Sequence, residues 1–325
     1  MQSVILAAGK STRTYPLTLT RPKPLLKVAN KSLVEHNLNN LNNIVDEVLI
    51  IVGYKKNSIK KFIGKKYKNI KIKYIEQKQQ LGTGHAALLA EPYIKNRFIL
   101  MAGDNVYSKK DIKNSIKHRY AILVNKTKNW KNFGVILQNK GLLVDFVEKP
   151  EKFVSDIINT SFYVLDKKIF THLHKVKKSK RNEYEFPDAL KLLARKEKIK
   201  CVTATQWLPI AYPLDSLKAD RAIRKNKNII GKNSKITGKV KNSSVGTGCI
   251  IKGNVKNSIV MDKTVIDENS TVDGSVIGEN VYFNGKISGS VIADNVKAKN
   301  VIIKASCKIW PDKTISNVTI KGDIT

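Results

Sequence analysis

Residues 1–30 read MQSVILAAGKSTRTYPLTLTRPKPLLKVAN, and the fold follows from how this stretch changes character at Ala7. Ser3 to Leu6 is a short apolar run, read as a buried strand. It passes directly into Ala7-Ala8-Gly9-Lys10-Ser11-Thr12-Arg13. Small residues at the carboxyl end of a strand leave backbone N–H groups open to a phosphate chain. Arg13 adds a rigid fork of donors, and Lys23 stands between Pro22 and Pro24 on a stiffened segment. Together these residues describe a triphosphate cradle at the front of an α/β sheet, where such sheets bind ligands. A Walker A loop is excluded, because it needs a glycine five residues before Gly9, where Val4 stands. The dinucleotide fingerprint is excluded as well, since Gly9 is the only glycine present. The remaining alternative is an ordinary strand and turn carrying surface charge.

Outward from this segment, apolar strand-like runs alternate with amphipathic stretches as far as residue 125. Strands are predicted at Glu47–Val52, Ile70–Ile75 and Phe98–Ala102, and helices at Ser58–Lys65 and Thr83–Ala90. That alternation predicts a doubly wound, mostly parallel sheet. Asn139-Lys140-Gly141 then joins two close strands of a hairpin within Gly134–Val147. A strand at Ile157–Leu165 and helices at Pro187–Ala194 and Pro213–Lys225 follow. Near residue 230 the texture changes to short Val/Ile runs separated by Gly, Asn, Asp and Ser. Ser244-Val245, Ser258-Ile259, Ser275-Val276, Ser290-Val291 and Asn317-Val318 recur about every 14 to 17 residues, with a longer gap before the last. Val260, Ile266 and Val272, six apart, suit the flat faces of a coil with Gly/Asn/Asp corners. An irregular all-β domain is the alternative.

Two further segments carry chemistry. In Gln77-Lys-Gln-Gln-Leu81-Gly82-Thr83-Gly84-His85-Ala86, a glutamine after a strand and a Gly-Thr opening a helix offer groups that can read a nucleobase edge. Taken alone, Gly82-Thr83 is equally a helix N-cap. Asp104 follows Met101-Ala102-Gly103, so a carboxylate stands just past a buried strand, a common way to present Mg²⁺ to phosphates or simply a turn aspartate.

The opening string resembles the AAGxGxR…PKP signature of the sugar nucleotidylyltransferases, with Ser11 where that family most often has glycine. The Gln77–Ala86 segment is similar to the base-binding Q-x-x-x-LGTGHA of bacterial UDP-N-acetylglucosamine pyrophosphorylases. Gly134, Glu148-Lys149-Pro150 and Asn159-Thr160-Ser161 resemble the family's YGxI, EKP and NxG elements, in the same order. The resemblance implies catalytic roles for Arg13 and Lys23. It also implies nucleotide contacts from Ala7, Ala8, Gly9, Arg13, Lys23, Gln77, Gly82 and Thr83. Sugar-phosphate contacts would come from Gly134, Glu148, Lys149 and Asn159, and Mg²⁺ would be held by Asp104. His85 reads as structural rather than catalytic.

The chain departs from the family pattern in three places. Ser161 replaces a usual glycine, and Pro187 stands where threonine is usual after Glu183-Tyr184-Glu185-Phe186. In Trp207-Leu208-Pro209-Ile210-Ala211-Tyr212-Pro213, Pro209 occupies the place of the family's second metal-binding aspartate. Asp215, six residues on, is either a substitute ligand or a helix N-terminal carboxylate.

The implied fold is α/β, a Rossmann-like, mostly parallel mixed sheet of the nucleotide-diphospho-sugar transferase type over residues 1–228. A left-handed parallel β-helix of hexapeptide repeats would occupy residues 229–325. The implied reaction moves a nucleotidyl group from an NTP, UTP first, to a sugar 1-phosphate, N-acetylglucosamine or glucose 1-phosphate first, with release of pyrophosphate. Guanylyl transfer to mannose 1-phosphate and thymidylyl transfer to glucose 1-phosphate are the alternatives within this class. A non-catalytic regulatory or scaffolding subunit is the alternative outside it, and Pro209 is its support. Acyl transfer by the repeat domain is rejected, because its usual catalytic histidine is missing: His36, His85, His118, His172 and His174 all precede residue 175.

The 325 residues carry 60 Lys and Arg against 26 Asp and Glu, a formal charge of +34. The excess is spread along the chain, which fits compositional bias better than a polyanion-binding surface. No basic stripe with interleaved aromatics marks a nucleic-acid site, so no specific nucleic-acid partner is expected. Cys201, Cys249 and Cys307 have no metal-ligand spacing and read as buried thiols of a reducing cytosol. No apolar run reaches membrane-spanning length, so a cytoplasmic protein without a membrane partner is expected. The repeat domain is expected to mediate homo-oligomerisation.

Overall fold

Val4 and Ile5 are fully buried because the first strand lies between two others. The computed structural model describes residues 1–325 in two compact units, residues 1–9 with 34–207 and residues 10–33 with 208–325.

The first unit is built on ten strands: β1 (Gln2–Ala7), β2 (Glu47–Val52), β3 (Lys66–Tyr67), β4 (Ile70–Glu76), β5 (Phe98–Ala102), β6 (Ala121–Lys126), β7 (Gly134–Asn139), β8 (Leu142–Glu148), β9 (Ile157–Leu165) and β10 (Lys200–Thr203). Their order across the sheet is β7-β8-β10-β6-β9-β5-β1-β2-β4-β3. The segment β4-β2-β1-β5 is wholly parallel, with Ile5 paired to Ile50 on one side and Met101 on the other. Helices α1 (Leu33–Leu41) and α2 (Lys56–Ile63) fall between its strands in sequence, as crossovers require. The antiparallel β9 reverses direction between β5 and β6, and the β7–β8 hairpin extends the sheet at that edge. Lys140 and Gly141, both at positive φ, form the hairpin turn.

Helices α3 (Thr83–Leu88), α5 (Lys168–Leu173) and α6 (Phe186–Ala194) contribute to one core. Phe186, Ala189, Leu190 and Leu193 recur at helical spacing and are all buried. Phe98 stacks on Phe170 with ring centroids 5.7 Å apart. The predicted strands and helices are present, with ends moved by a few residues. The helix expected at Ser58–Lys65 begins at Lys56 and ends before Gly64, whose φ of 74° stops it. α4 (Lys109–Ser115), capped by the Ser108 side chain, carries too weak an apolar stripe to stand out in sequence.

In the second unit, α7 (Asp215–Arg224) leads into a parallel β-helix. One sheet stacks 229–230, 244–245, 259–260, 276–277, 291–292 and 308–309. Inward apolar residues include Val245, Val260, Ile277, Ile292 and Ile309, and the expected Val260, Ile266 and Val272 are fully buried. The repeat phase needs one correction. Ser244 pairs with Ile259, so the serine equivalent to Ser258 is Ser243 rather than Ser244. At the other end Asn317 is not equivalent either, because its neighbour Val318 pairs with Val301. The register puts Cys307 in that place, since Lys308 pairs with Val291. A ladder results, in which the backbone N–H groups of Ser258, Ser275, Ser290 and Cys307 donate to the hydroxyls of Ser243, Ser258, Ser275 and Ser290. Asn242, Asn257, Asn280 and Asn295 turn corners at positive φ, where asparagine is tolerated. Their side chains bond from coil to coil, as Asn242 to Asn257 and Asn280 to Asn295 do.

Candidate functional site

The order β4-β2-β1-β5 makes β1 and β5 the point from which successive crossovers diverge, and ligands of such sheets bind beyond the carboxyl ends of the strands there. In the first unit this is where the predicted residues gather. Ala7 ends β1, and the Ala8 carbonyl accepts from Tyr54 N at 3.0 Å and from Gln80 Nε2 at 2.9 Å. Asp104 follows β5 by two residues, after Gly103 N bonds the Leu6 carbonyl at 2.8 Å. Gln77 follows β4 and is buried. Its Nε2 lies 3.2 Å from the Gly82 carbonyl and 3.0 Å from His85 Nδ1, so the histidine orients the glutamine amide. That fits the structural role expected of His85.

The Leu81–Gly84 segment is moulded onto the chain before α6. Gly84 N donates to the Tyr184 carbonyl at 2.7 Å, and Tyr184 N donates to the Leu81 carbonyl at 2.8 Å. Gly82 has φ 101°, and a Cβ on it would lie 2.6 Å from the Tyr184 carbonyl oxygen. The spacing LGTG is thus fixed by backbone approach as well as by any ligand. Thr83 Oγ1 accepts from Phe186 N at 3.1 Å and so caps α6 rather than its own helix. Sequence reasoning offered a cap as the alternative but not this partner, which lies 103 residues away.

On β7, β8 and β9 the expected sugar-side residues come together. Gly134 pairs with Glu148, and a Cβ on Gly134 would meet Phe146 Cζ at 2.1 Å and Glu148 Oε2 at 2.8 Å. Desolvation pushes the Glu148 carboxyl above the ordinary glutamate range, against the pull of Arg181 and Lys149. Its side chain is still 41 % exposed, so water screens that shift. Arg181 stands 3.6 Å from Glu148 and 2.8 Å from Glu185. No sequence motif pointed to Arg181, which lies in the segment before α6, far along the chain from Glu148. Lys149 has φ 44°. Asn159 is braced twice, its Nδ2 donating to Tyr163 Oη at 2.7 Å and its Oδ1 accepting from Ser161 N at 2.9 Å. Burial holds the Tyr163 phenol well above its usual value, so it remains a neutral partner.

The second unit carries Arg13 and Lys23. Ser11 adopts the left-handed conformation, φ 55° and ψ 50°. Its carbonyl collects Thr14 N at 3.1 Å, Thr14 Oγ1 at 2.7 Å and Thr18 Oγ1 at 3.0 Å. Those three donors explain how serine holds a turn that favours glycine. Arg13, in the short helix Thr12–Thr14 that follows, is exposed. Lys23 is 5 % exposed and opens the short helix Lys23–Leu25, with Pro22 and Pro24 fixing the backbone around it. Asp215 Oδ2 accepts from Ala211 N at 3.0 Å and Tyr212 N at 2.8 Å, the bonding of a carboxylate that organises a helix start. No group of three or more His, Cys, Asp or Glu side chains is assembled to hold a metal. No helix is long and apolar enough to cross a membrane.

Residues 2–225 match the family model described as nucleotidyl transferase, and residues 226–319 match that described as GlmU-like, C-terminal hexapeptide. The chain is 34 % identical over 332 residues to the bifunctional protein GlmU of Methanocaldococcus jannaschii, covering 87 % of this chain and 79 % of that protein. It is 34 % identical over 237 residues to the UTP–glucose-1-phosphate uridylyltransferase AglF of Haloferax volcanii, covering 69 % of this chain and 97 % of that one. A solved UDP-glucose pyrophosphorylase complexed with UDP-glucose superposes with a TM-score of 0.62 at 23 % identity, over 70 % of this chain and 99 % of that chain, and shares the fold. The chain therefore belongs to the nucleotidyl transferase family and carries behind that domain a GlmU-like hexapeptide domain.

Proposed function

We propose that the protein transfers a uridylyl group from UTP to N-acetylglucosamine 1-phosphate or glucose 1-phosphate, releasing pyrophosphate. The observation that carries this reading is Gln77, buried at the end of β4 with its amide set by Gly82 and His85. A fixed amide can discriminate a pyrimidine edge. The name of the uridylyltransferase relative favours UTP and glucose 1-phosphate.

The sugar phosphate oxygen is already anionic, so the reaction needs no side-chain nucleophile. It attacks the α-phosphorus in line, forming one P–O bond as the bond to the pyrophosphate oxygen breaks. Backbone groups of Ala7, Ala8 and Gly9 receive the triphosphate, while Arg13 and Lys23 neutralise the charge that builds on it. Glu148 and Asn159 accept from and donate to sugar hydroxyls, Gly134 leaves room for them, and Lys149 meets the sugar phosphate. Gly82 shapes the base pocket and Thr83 supports it through α6.

The family works with a divalent metal, and Mg²⁺ suits the donors available here. Magnesium takes one or two carboxylates and fills its remaining positions with phosphate oxygens and water. Asp104 supplies one such carboxylate. Pro209 offers none, and Asp215 already accepts two backbone N–H groups. When bound, Mg²⁺ would neutralise phosphate charge.

We place the functional boundary at 228/229 and assign the β-helix a role in self-association, which its exposed Ile302 and Val318 favour. Pyrophosphate release across a panel of NTPs and sugar 1-phosphates tests the reading. UTP should give the highest kcat/KM, chelation should abolish turnover, and added Mg²⁺ should restore it. Arg13→Ala and Asp104→Ala should each lose roughly 10²–10³ in kcat. Near wild-type turnover in either variant overturns the assignment, and preference for GTP with mannose 1-phosphate or TTP with glucose 1-phosphate corrects the base and sugar.

A further inference from the structure

Lys23 is flanked within the second unit by two cations that are themselves held. Arg21, two residues before it, forms an ion pair with Glu279 at 2.6 Å and another with Asp294. Lys27, four residues after it, pairs with Asp262 and lies 3.5 Å from Glu279. Thr20 Oγ1 also donates to Asp294. The three acids occupy one corner of the β-helix. Each stands two residues past the stacked positions Val260, Ile277 and Ile292, which pair directly from coil to coil. Basic residues outnumber acids 60 to 26 in this chain, so three acids aligned on one corner are not what random placement gives.

The two aspartates are fixed independently of the loop. Asp262 Oδ1 accepts from Thr247 N at 3.0 Å and Asp294 Oδ1 accepts from Glu279 N at 2.8 Å. Each aspartate thus ties one oxygen to the neighbouring coil and presents Oδ2 to a cation. Burial pulls the Arg21 guanidinium down, but Asp294 and Glu279 outweigh it and hold the charge firmly in place. Partly buried charge pairs with fixed geometry exceed the worth of exposed ones.

We propose that the acid corner of the β-helix is a clamp that positions the nucleotide-binding loop, with Arg21 and Lys27 as positioning residues for Lys23. The inference rests on the nucleotide role assigned to Lys23 in the reading above. It gives the hexapeptide domain a direct part in nucleotidyl transfer, separate from oligomerisation.

The test uses the full chain with Asp262→Asn, Glu279→Gln and Asp294→Asn combined, which keeps side-chain shape and the coil-to-coil acceptors while removing charge. Hydrogen exchange reads the loop through the amides of Leu25 and Leu26, bonded to the Pro22 and Lys23 carbonyls at 2.9 Å. The clamp predicts faster exchange at Leu25 and Leu26 with unchanged protection at Val265 and Val281 in the β-helix. It also predicts a 10- to 100-fold fall in kcat/KM for the NTP with KM for the sugar 1-phosphate unchanged, since misplacing a catalytic group by about 1 Å costs up to 10²-fold. Arg21→Ala should reproduce the loss and Arg21→Lys should recover part of it. Wild-type protection at Leu25 and Leu26 in the triple variant overturns the clamp. So does a loss of protection spread through the β-helix. If the wild-type chain releases no pyrophosphate with any substrate pair, the catalytic reading fails, and the exchange measurement alone still decides the clamp.

Discussion

Asn159 Oδ1 accepts a hydrogen bond from the backbone N–H of Ser161 at 2.9 Å, while Ser161 turns the chain with φ 60°. The β9 register against β6 shifts between Asn159 and Tyr163, so this turn is a local bulge that aims Asn159. A left-handed serine costs about 1–2 kcal/mol, and glycine in its place loses about 0.5–1 kcal/mol of chain entropy. The balance favours glycine slightly. Ser161→Gly should leave the thermal midpoint within a few degrees, whereas Ser161→Val should destabilise by about 1–3 kcal/mol and raise KM for the sugar 1-phosphate. Thermal unfolding together with steady-state kinetics checks both.

Gly134→Ala should act on the same side of the site. Its new methyl would lie 2.1 Å from Phe146 Cζ, so the ring and Glu148 must move apart. Overpacking of this kind costs about 1–3 kcal/mol. The expected signature is a raised KM for sugar 1-phosphate with KM for the NTP preserved.

Glu148 predicts a pH dependence. Its carboxyl sits above the usual glutamate value of about 4.3, so it protonates earlier as pH falls. A protonated Glu148 loses one acceptor for sugar hydroxyls. KM for the sugar 1-phosphate should therefore climb on acidification at a higher pH than an ordinary glutamate allows, and Glu148→Gln should flatten the profile. The linkage to stability has the opposite sense. A raised folded value favours folding below the unfolded value, and that contribution disappears as pH rises through the folded one.

In the second unit, Asp220 and Arg224 form a buried pair with side chains 1 % and 2 % exposed. Asp220 Oδ1 also accepts from Ala29 N at 2.7 Å and Ser244 Oγ at 2.6 Å, and Arg224 bonds Asn242 and the Lys227 carbonyl. Every polar atom of the network is used, so removing one charge strands the rest. Asp220→Asn should cost about 3–5 kcal/mol, read by chemical denaturation.

The sheet was legible because Val48–Val52 and Phe98–Ala102 are apolar runs at crossover spacing, and packing agreed with propensity. Arg181 near Glu148 and Thr83 capping α6 were not, since each partner lies far along the chain. The chain is rich in asparagine. Part of it does structural work at the positive-φ corners 242, 257, 280 and 295. The Asp262, Glu279 and Asp294 stack was present in the text of the repeat, two places past each inward aliphatic, and was obscured by the misphased serine register.

Because each coil bonds only to its neighbours, the solenoid could be lengthened past Ile320 with little effect on earlier turns. Shortening it between Gly246 and Ala293 is a different matter. Excising a single rung there would slide the carboxylates away from Arg21 and Lys27, so the coil count can change beyond these acids but not among them.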